Sequence, residues 1–297
     1  MSWAEVKEAF RALRDEPAQG AIAARWEAFL ALALKDPPPY HLRLALREIR
    51  GYQVARAADA ITVLDHGCGD GLSVLYLHAL GYRACGVDLR ESAHFARINA
   101  EFGSEVLQGY DGRRLPFPDA SVDVVLSQQV LEHVADNLVE AYYAEEGRVL
   151  KPGGIALHQV PHRLVPFDSH TQTWFTHWLP APLRNALYRR LGFKSLPQRL
   201  HYRTPWFHRA AARRHIGLCD DLTIERLRLV RDFDAGTGPV YDGNVGLRRL
   251  VDRAIHAPAV GQLLGRMVRP FVMLDSVSHK RPAQPRQDLA GGGFGPG

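Results

Sequence analysis

The residues best placed to bind a ligand form a glycine-rich segment, Asp65-His66-Gly67-Cys68-Gly69-Asp70-Gly71, between a predicted strand and a predicted helix. Glycines there allow positive φ and let a ligand lie against bare backbone, while the following helix N-terminus favours an anionic group. The G-x-G-x-G spacing departs from the G-x-G-x-x-G of dinucleotide sites, and the Gly-Lys-Ser/Thr end of a phosphate-binding loop is absent from the segment. The segment therefore predicts a ligand site of another kind; the alternative is a tight turn without a ligand.

Two acids follow the next two predicted strands. Asp88 ends the strand Arg83–Asp88, 23 residues after Asp65. Its carboxylate can accept hydrogen bonds from both hydroxyls of a ribose, or it can cap the helix that begins just beyond it. Asp111, followed by Gly112, can accept from an exocyclic amine or form an ordinary Asp-Gly turn. The position of Asp88 behind a glycine turn favours the ligand interpretation.

The elements that must position these residues alternate between strands and helices from residue 61 onward. Short β-branched runs separated by helical stretches indicate βαβ units and a mostly parallel sheet. The predicted strands are Ile61–Asp65, Arg83–Asp88, Glu105–Gln108, Ser121–Ser127, Ile155–Val160, Leu222–Asp232 and Phe271–His279. The predicted helices among them are Leu72–Leu80, Glu91–Phe102, Asn137–Leu150 and Thr204–Ile216, the last ending at Gly217. We therefore expect a Rossmann-like, doubly wound α/β fold with a seven-stranded sheet.

The remaining segments divide the chain around that sheet. Residues 1–58 are predicted to form an N-terminal helical cap, and residues 59–281 the α/β domain. Residues 161–203 and 233–268 are insertions that are too long for plain connections. We expect them to form a lid over the ligand site and to contact whatever second molecule binds there. The glycine-rich tail 282–297 is predicted to be disordered because it has little to bury.

Composition excludes several classes of protein. The chain is 46% hydrophobic and 23% charged, which is typical of a globular protein and rules out wholesale disorder. No stretch has the roughly 18 apolar residues needed to span a bilayer, and the N-terminus lacks a secretion signal pattern. Cys68, Cys85 and Cys219 are too few and too scattered for a disulfide framework. We expect a cytoplasmic protein, with contact to a membrane surface as an option.

Taken together, these motifs resemble the class I S-adenosylmethionine-dependent methyltransferases, particularly the small-molecule branch called type 11. The resemblance is strongest over 61–160, where Leu115–Val125 and Leu131-Glu132-His133-Val134 match the family's stretches into and after the fourth strand. Arg148–Gly154 fits the turn before the fifth strand, although Gly147 is a poorer helix former than the family usually has there. The resemblance implies S-adenosylmethionine as cofactor and S-adenosylhomocysteine as product.

The same resemblance implies a set of cofactor contacts. The glycine loop would wrap the methionine end, and Asp88 after the second strand would bind the ribose hydroxyls. Leu89 would lie beside the adenine, and Asp111 with Gly112 would contact the adenine edge. The residues that carry over, with two neighbours at the fourth strand end, are Asp65, Gly67, Cys68, Gly69, Asp88, Leu89, Asp111, Gly112, Ser127 and Gln128.

Catalysis of methyl transfer asks little of the protein's own chemistry. The sulfonium is already an activated leaving group, so the main tasks are alignment and exclusion of water, together worth up to ~7–11 kcal/mol. An oxygen or nitrogen acceptor can need a general base, for which the candidates are His133, His158, His162 and His170. Alternatively these histidines cap turns or pack against aromatics. We expect no metal, because Cys partners are lacking and Pro161 disfavours a helix that would bring His158 and His162 together.

Charge and aromatic residues bear on the acceptor. Residues 1–150 carry 15 basic against 22 acidic residues and residues 151–297 carry 22 against 10, with ten basic residues and one acid within 162–215. That block can attract an anionic partner or simply be a solvated face. Trp174, Phe175 and Trp178 beside it suit an interfacial or lipid-bearing acceptor, a dry lid interior or a homodimer contact.

The predicted activity is therefore methyl transfer to a small-molecule acceptor or one linked to a lipid or sugar. An RNA or protein methyltransferase is the first alternative, but an appended RNA-binding motif is lacking. Ser127-Gln128-Gln129-Val130 also stands where an amine-modifying enzyme would carry Asn/Asp-Pro-Pro-Tyr/Phe. Nucleic acid is therefore disfavoured as a partner. A regulator that binds the cofactor without turnover is the second alternative.

Overall fold

A seven-stranded sheet forms the centre of the protein. The computed structural model describes residues 8–11, 22–33, 40–102, 104–168, 170–193, 200–229, 257 and 261–282. The strands are β1 (Thr62–His66), β2 (Arg83–Asp88), β3 (Leu107–Gly109), β4 (Val122–Gln128), β5 (Leu150–Val160), β6 (Phe167–Asp168), β7 (Thr173–Trp174), β8 (Gly217–Asp221) and β9 (Leu274–Lys280). The sheet order is β3-β2-β1-β4-β5-β9-β8, and β6 and β7 form a separate antiparallel pair. Strands β1 to β5 pair in parallel, whereas β9 is antiparallel to both β5 and β8. This confirms the predicted Rossmann-like, mostly parallel seven-stranded sheet.

Helices cover both faces of the sheet. They are α1 (Ile22–Ala33), α2 (Tyr40–Gln53), α3 (Leu72–Ala79), α4 (Ala93–Phe102), α5 (Val139–Val149), α6 (Ala181–Arg190), α7 (Pro205–His215), α8 (Thr223–Leu229) and α9 (Gly261–Val268). One core contains Phe29 of α1, Leu75 of α3 and Phe95 of α4, and a second contains Tyr143 of α5 and Ala211 of α7. Because apolar side chains are buried on both faces, the sheet is the middle of three layers, as expected of a doubly wound fold.

Strand β4 is buried on both faces of the sheet. Successive side chains of a strand point to opposite faces. Val124 and Leu126 therefore enter the first core and Val125 enters the second, and all three are almost completely buried. The apolar centre Val124-Val125-Leu126 is why β4 could be recognised in the sequence, although Asp123 and Ser127 beside it are buried as well.

The described N-terminal helices pack on the sheet rather than standing apart from it. Helix α1 packs against α3. The Tyr52 hydroxyl at the end of α2 donates to Asp123 Oδ1 (3.1 Å), whose carboxylate also accepts from the backbone N–H of Thr62 (3.0 Å) and from Lys151 Nζ (2.6 Å). The buried Asp123 thus ties α2 to the amino ends of β1 and β4. A cap bounded at residue 58 stays a prediction.

The chain after α7 differs from the prediction. The predicted strand 222–232 is wrong over its described part: the strand is β8, and Thr223 begins α8. Asp221 Oδ1 accepts from the backbone N–H of Thr223 (3.1 Å), which starts the helix. Helix α7 ends before Gly217, as expected, with Ile216 as its C-cap; Gly217 itself begins β8, where a Cβ would come within 2.3 Å of the His279 carbonyl oxygen. Residues 230–232 lie outside the described residues.

The first predicted insertion has structure of its own in its described parts. Residues 161–193 form the β6–β7 pair, a 3-10 turn at Thr176–Trp178 and α6, and the chain is described again from residue 200. In the second, 233–256 and 258–260 lie outside the described residues, and α9 is the helix expected at its end. The predicted disordered tail also lies outside them beyond residue 282. The lid role of the two insertions stays a prediction.

Candidate functional site

The glycine loop lies where the carboxyl ends of β1, β2 and β4 meet. Gly67, Gly69 and Gly71 all have positive φ, at 91°, 55° and 88°. A Cβ at Gly67 would lie 2.4 Å from Val130 Cγ2, and one at Gly71 would lie 2.6 Å from Leu107 Cδ1. Gly69 is exposed, and a Cβ there would meet no atom of the described residues within 4 Å. The loop is therefore packed on two sides and open at Gly69, where a ligand can lie against the backbone.

Asp88 holds this loop to β2. Its Oδ2 accepts from the backbone N–H of Gly69 (2.9 Å), and its Oδ1 accepts from that of Arg90 (3.1 Å). The N–H groups of Gly67 and Cys68 both donate to the Val87 carbonyl, at 2.8 and 3.0 Å. The next helix begins at Ala93, so the bond to Arg90 closes a turn and does not cap that helix; the capping interpretation of Asp88 is wrong. Its remaining lone pairs can accept from a ligand hydroxyl.

Asp65 and Cys68 are buried beneath the loop. Burial raises the pKa of Asp65 to about 7, and the nearby Asp88 carboxylate acts in the same direction. Burial also raises the pKa of the Cys68 thiol well above its ordinary value, so Cys68 is not a thiolate nucleophile. A cationic ligand group would stabilise the ionised form of Asp65.

Leu89, Asp111 and Gly112 come together at the ends of β2 and β3. Leu89 is 66% exposed, and a Cβ at Gly112 would lie 2.6 Å from Leu89 Cδ2. Asp111 Oδ1 accepts from the N–H groups of Arg113 (2.8 Å) and Arg114 (3.0 Å), and these bonds lower the pKa of Asp111. Asp111 therefore forms the turn proposed as its alternative, and it keeps Oδ2 for other contacts. The exposed Leu89 offers a flat apolar surface beside it.

Ser127 and Gln128 end β4. Ser127 is 1% exposed, and its Oγ lies 2.8 Å from the Tyr142 hydroxyl, which itself donates to the His66 carbonyl (3.0 Å). The Ser127 hydroxyl thus serves the fold, and its geometry does not favour the predicted cofactor contact. Gln128 is half-buried at the strand end.

A buried polar network that the sequence did not reveal lies behind the loop. Glu146 of α5 is 0% exposed; its Oε1 lies 3.0 Å from His66 Nδ1 and its Oε2 lies 2.7 Å from His158 Nε2. His66 Nε2 meets the Tyr110 hydroxyl at 2.8 Å, and the His66 ring stacks on Tyr142 with centroids 3.8 Å apart. Burial alone would raise the pKa of Glu146, but His158 and His66 lower it to about 2. The network links β1, β5, α5 and the turn after β3.

One signal could have revealed Glu146. The buried residues of α5 include Val139, Tyr142, Tyr143 and Glu146, which recur at helical spacing on one face. A glutamate on an otherwise apolar helix face predicts a buried polar partner.

The four candidate bases occupy two different environments. His158 is buried against Glu146, and His162 is 1% exposed, with Nε2 bonded to the Val272 carbonyl (2.8 Å) and Nδ1 accepting from the Leu164 N–H (3.2 Å). Burial lowers the pKa of His162 to about 4. The geometry therefore does not favour His158 or His162 as bases. His133 and His170 are exposed, and their ring centroids lie 5.1 Å apart.

The first insertion docks on the loop after β4. Arg203 donates from Nη1 to the Leu131 carbonyl (2.9 Å) and from Nη2 to the Val134 carbonyl (2.7 Å). The backbone N–H of His201 donates to the Glu132 carbonyl (2.7 Å). The insertion is thus held over the carboxyl edge of the sheet by the segment 131–134.

An aromatic patch is exposed on this insertion. We define it as Trp174, Phe175 and Trp178, which are 40%, 49% and 39% exposed. Ring centroids lie 5.9 Å apart between Trp174 and Phe175 and 5.0 Å apart between Phe175 and Trp178. Large aromatic side chains exposed together mark a contact surface more often than single ones do.

Part of the basic block is used within the fold. Arg203 pairs with Asp136 (2.8 Å), and Arg214 pairs with Glu140. Arg209 lies 3.9 Å from Asp221. These three side chains therefore support the interpretation of the block as a structural, solvated face rather than an anion-binding surface.

Comparisons with known proteins match the part of the chain that contains the glycine loop. A family model described as a methyltransferase domain matches residues 64–158. A probable S-adenosylmethionine-dependent methyltransferase of Mycolicibacterium smegmatis is 37% identical over 135 residues, which are 44% of this chain and 51% of that protein. The ubiquinone biosynthesis O-methyltransferase of Mesorhizobium japonicum is 32% identical over 116 residues, 38% of this chain and 46% of that one. The chain thus spans about half the length of these curated relatives.

A solved structure gives a weaker likeness. The geranyl diphosphate C-methyltransferase of Streptomyces coelicolor A3(2) is 15% identical, covering 91% of this chain and 87% of its own, with a TM-score of 0.43. At that level the substrate of the neighbour says nothing about this chain.

Among the described residues, no helix is both long and apolar enough to cross a membrane.

Proposed function

Because this chain carries a class I S-adenosylmethionine-dependent methyltransferase domain, we propose that it transfers a methyl group from S-adenosylmethionine to a small-molecule acceptor or one linked to a lipid or sugar. One observation carries the proposal. The glycine loop is fixed to β2 by the Asp88 carboxylate and leaves Gly69 open at the carboxyl edge of the sheet, next to the point where the strand order reverses between β1 and β4.

Different residues of this edge bind different parts of the cofactor. Asp88 accepts from the ribose hydroxyls, and Leu89 and Gly112 lie along the adenine. Asp65 attracts the positively charged methionine end that passes Gly69. Because the same edge provides the packed loop and the carboxylates, the cofactor is held with its methyl group toward the loop after β4 and the first insertion.

The cofactor supplies a methyl group bonded to a sulfonium. Because the sulfonium is already an activated leaving group, the protein does not need to supply a nucleophile. The protein's part is alignment and exclusion of water, each realised by fixed backbone rather than by a reactive side chain. The bonds from Arg203 to the carbonyls of Leu131 and Val134 hold the insertion against the loop on the acceptor side. The insertion therefore supplies the wall against which an acceptor is positioned.

The aromatic patch supports the lipid-linked form of the acceptor. Helix α6 continues the exposed apolar surface with Leu183, 60% exposed, and places Arg184 and Arg189 on the same short helix. Exposed aromatic and aliphatic side chains beside arginines suit the boundary between lipid headgroups and acyl chains.

The test of the function begins with calorimetric titration of the full chain with S-adenosylmethionine, S-adenosylhomocysteine and NAD. We expect the first two to bind and NAD not to bind. Labelled methyl groups are then followed into lipid extracts, soluble metabolites, RNA and protein. Label in lipids or small molecules supports the proposal. Label in RNA or protein would establish the alternative activity, and bound cofactor without transfer to any fraction would favour a regulator.

The open position at Gly69 gives a matched pair of variants. We expect Gly69→Ala to weaken S-adenosylmethionine binding about 10-fold, because its Cβ enters the space along which the cofactor lies. Gly153→Ala is the control: Gly153 also has positive φ (80°) and an open Cβ position, but it lies in the turn at the start of β5. Both substitutions place an alanine at positive φ, so calorimetry should show a loss of affinity in the first variant alone. Equal affinities in the two variants would show that the cofactor does not lie along this face of the loop.

The pKa of Asp65 makes cofactor binding depend on pH. Because that pKa is raised to about 7, the free protein loses the ionised carboxylate as pH falls below 7. A cationic cofactor binds the ionised form, so its affinity should fall about 10-fold per pH unit below that point. Asp65→Asn should bind weakly and lose this part of the dependence. Comparing the two proteins by titration at several pH values cancels the cofactor's own ionisation, and parallel profiles would contradict the assignment.

A further inference from the structure

Three potential metal ligands converge beside the proposed acceptor position. Glu132 and His133 lie in the loop after β4, and His170 lies in the first insertion. Glu132 Oε1 lies 3.9 Å from His133 Nε2 and 3.8 Å from His170 Nε2. One ligand atom from each residue lies within 4.8 Å of the others. Residues distant in the chain are thus brought to one point by the docking of the insertion.

The Glu132 carboxylate has an unmet need for a partner. The side chain is buried, and within the described part of the chain no group donates a hydrogen bond to either of its oxygens. A buried carboxylate in that state is costly. By contrast, the buried Glu146 accepts from His66 and His158. The lone pairs of Glu132 remain for a cation that the fold itself does not supply.

His170 is oriented toward Glu132 from behind. Its Nδ1 lies 3.5 Å from Asp168 Oδ1, and the buried Asp168 accepts from the Thr171 hydroxyl (2.9 Å) and the Tyr202 hydroxyl (2.8 Å). A carboxylate at Nδ1 favours the tautomer that carries its proton there, which leaves the Nε2 lone pair facing Glu132. Metal-binding histidines are commonly held by a carboxylate in this way.

We propose that Glu132, His133 and His170 bind a divalent first-row transition ion such as zinc or cobalt. Ligand atoms at about 2.1 Å from a zinc ion lie about 3.4 Å apart in tetrahedral geometry. The two distances to Glu132 therefore need to shorten by about half an ångström, and the distance between His133 and His170, within 4.8 Å, by at most about 1.4 Å. Two imidazoles and one carboxylate suit such an ion and leave coordination positions open for a further ligand. This site departs from the expectation that the chain holds no metal.

The ion would lie between the cofactor and the insertion. The backbone N–H of His133 donates to the carbonyl of Val130 (2.8 Å), whose side chain packs against Gly67 of the glycine loop. The backbone of Glu132 is held to the insertion by the His201 N–H (2.7 Å). An ion bound here would therefore join the β4 loop to the insertion at the acceptor side of the cleft.

The chemical role of the ion rests on the proposed function. An acceptor hydroxyl that binds the ion becomes more acidic and releases its proton to solvent. Its oxygen lone pair then forms the bond to the methyl carbon while the carbon–sulfur bond breaks, and that electron pair stays on sulfur in S-adenosylhomocysteine. One proton is released for each methyl group transferred. The site thus favours an oxygen acceptor.

The test measures metal binding without the cofactor. The untagged full chain, freed of metal with a chelator, is titrated with Co²⁺ by calorimetry and visible absorption, followed by displacement with Zn²⁺. We expect one Co²⁺ per chain. Glu132→Gln and His170→Gln should each weaken binding at least ~100-fold, and Asp168→Asn about 10–100-fold. Glu105→Gln and His279→Gln, at exposed positions, are the matched controls and should bind as the wild type does.

A variant of the exposed His133 keeps the test valid if Glu132→Gln fails to fold. Should Glu132→Gln lose its helical circular dichroism, His133→Gln tests the same site from a surface position. Absence of stoichiometric binding in the wild type, or wild-type binding in all ligand variants, would overturn the proposal. Failure of S-adenosylmethionine to bind would overturn the proposed function and leave a positive metal result standing, so the two failures are distinguishable.

Discussion

Asp88→Ala should weaken the binding of S-adenosylmethionine at least ~100-fold. The substitution removes two things at once: the acceptor proposed for the ribose hydroxyls, and the anchors for the N–H groups of Gly69 and Arg90. Each hydrogen bond to a charged group contributes about 1.5–3 kcal/mol, so the loss of two such contacts to the ribose corresponds to an effect of about 100-fold or more. Calorimetric titration of both proteins measures it directly.

Two further variants separate the ribose contacts from the anchoring of the loop. Asp88→Asn keeps one oxygen that can accept from Gly69, so it should retain more of the loop structure and lose about 10-fold in affinity. Asp59→Ala removes an exposed aspartate in the 3-10 turn before β1 and should bind as the wild type does. An Asp88→Ala protein with unchanged affinity would show that the cofactor does not use this strand end.

The glycine loop and Asp88 could be predicted from the sequence because the chain itself fixes their positions. Each lies directly after an apolar strand, and the carboxyl ends of adjacent parallel strands meet at one edge of a sheet. The tight packing of Gly67 against Val130 could not be predicted in the same way. It depends on how closely the loop after β4 approaches β1, which no local pattern encodes.

The burial of the candidate histidines could not be predicted from the sequence. His158, His162 and His170 lie within one short segment and look equivalent as candidate bases. The structure buries His158 within β5 and His162 just beyond its end, and it leaves His170 exposed at the cleft. Burial depth along a strand that leads into an irregular segment is set by tertiary packing.

The misassigned strand after β8 has a similar cause. Leu222, Ile224, Leu227 and Leu229 alternate closely enough to resemble a strand, yet α8 begins at Thr223. The short β8 that precedes it carries the acids Asp220 and Asp221, which conceal it in the sequence. It is identified by its pairing with β9 at the sheet edge, and long-range pairing of this kind overrides weak local preference.

Glu146→Gln should lower the free energy of unfolding by about 3–5 kcal/mol at neutral pH. The ionised carboxylate accepts from both His66 and His158 in a site without water exposure, and an amide can accept at one atom only. Removing one member of a buried charged network leaves its partners unsatisfied, which accounts for the size of the effect. Urea unfolding of the two proteins measures the difference, with Glu105→Gln as an exposed control expected to change by less than about 0.5 kcal/mol.

The pH dependence distinguishes this network from ordinary packing. Because the pKa of Glu146 is lowered from 4.5 to about 2 in the folded protein, its contribution is fully present above about pH 4.5 and is lost as pH falls toward 2. The stabilities of wild type and Glu146→Gln should therefore converge in that acidic range and stay apart above it. A constant difference at all pH values would mean that the substitution acts through shape alone. Since His66 precedes Gly67 and bonds the Tyr110 hydroxyl, the variant should also loosen the glycine loop and weaken cofactor binding at neutral pH.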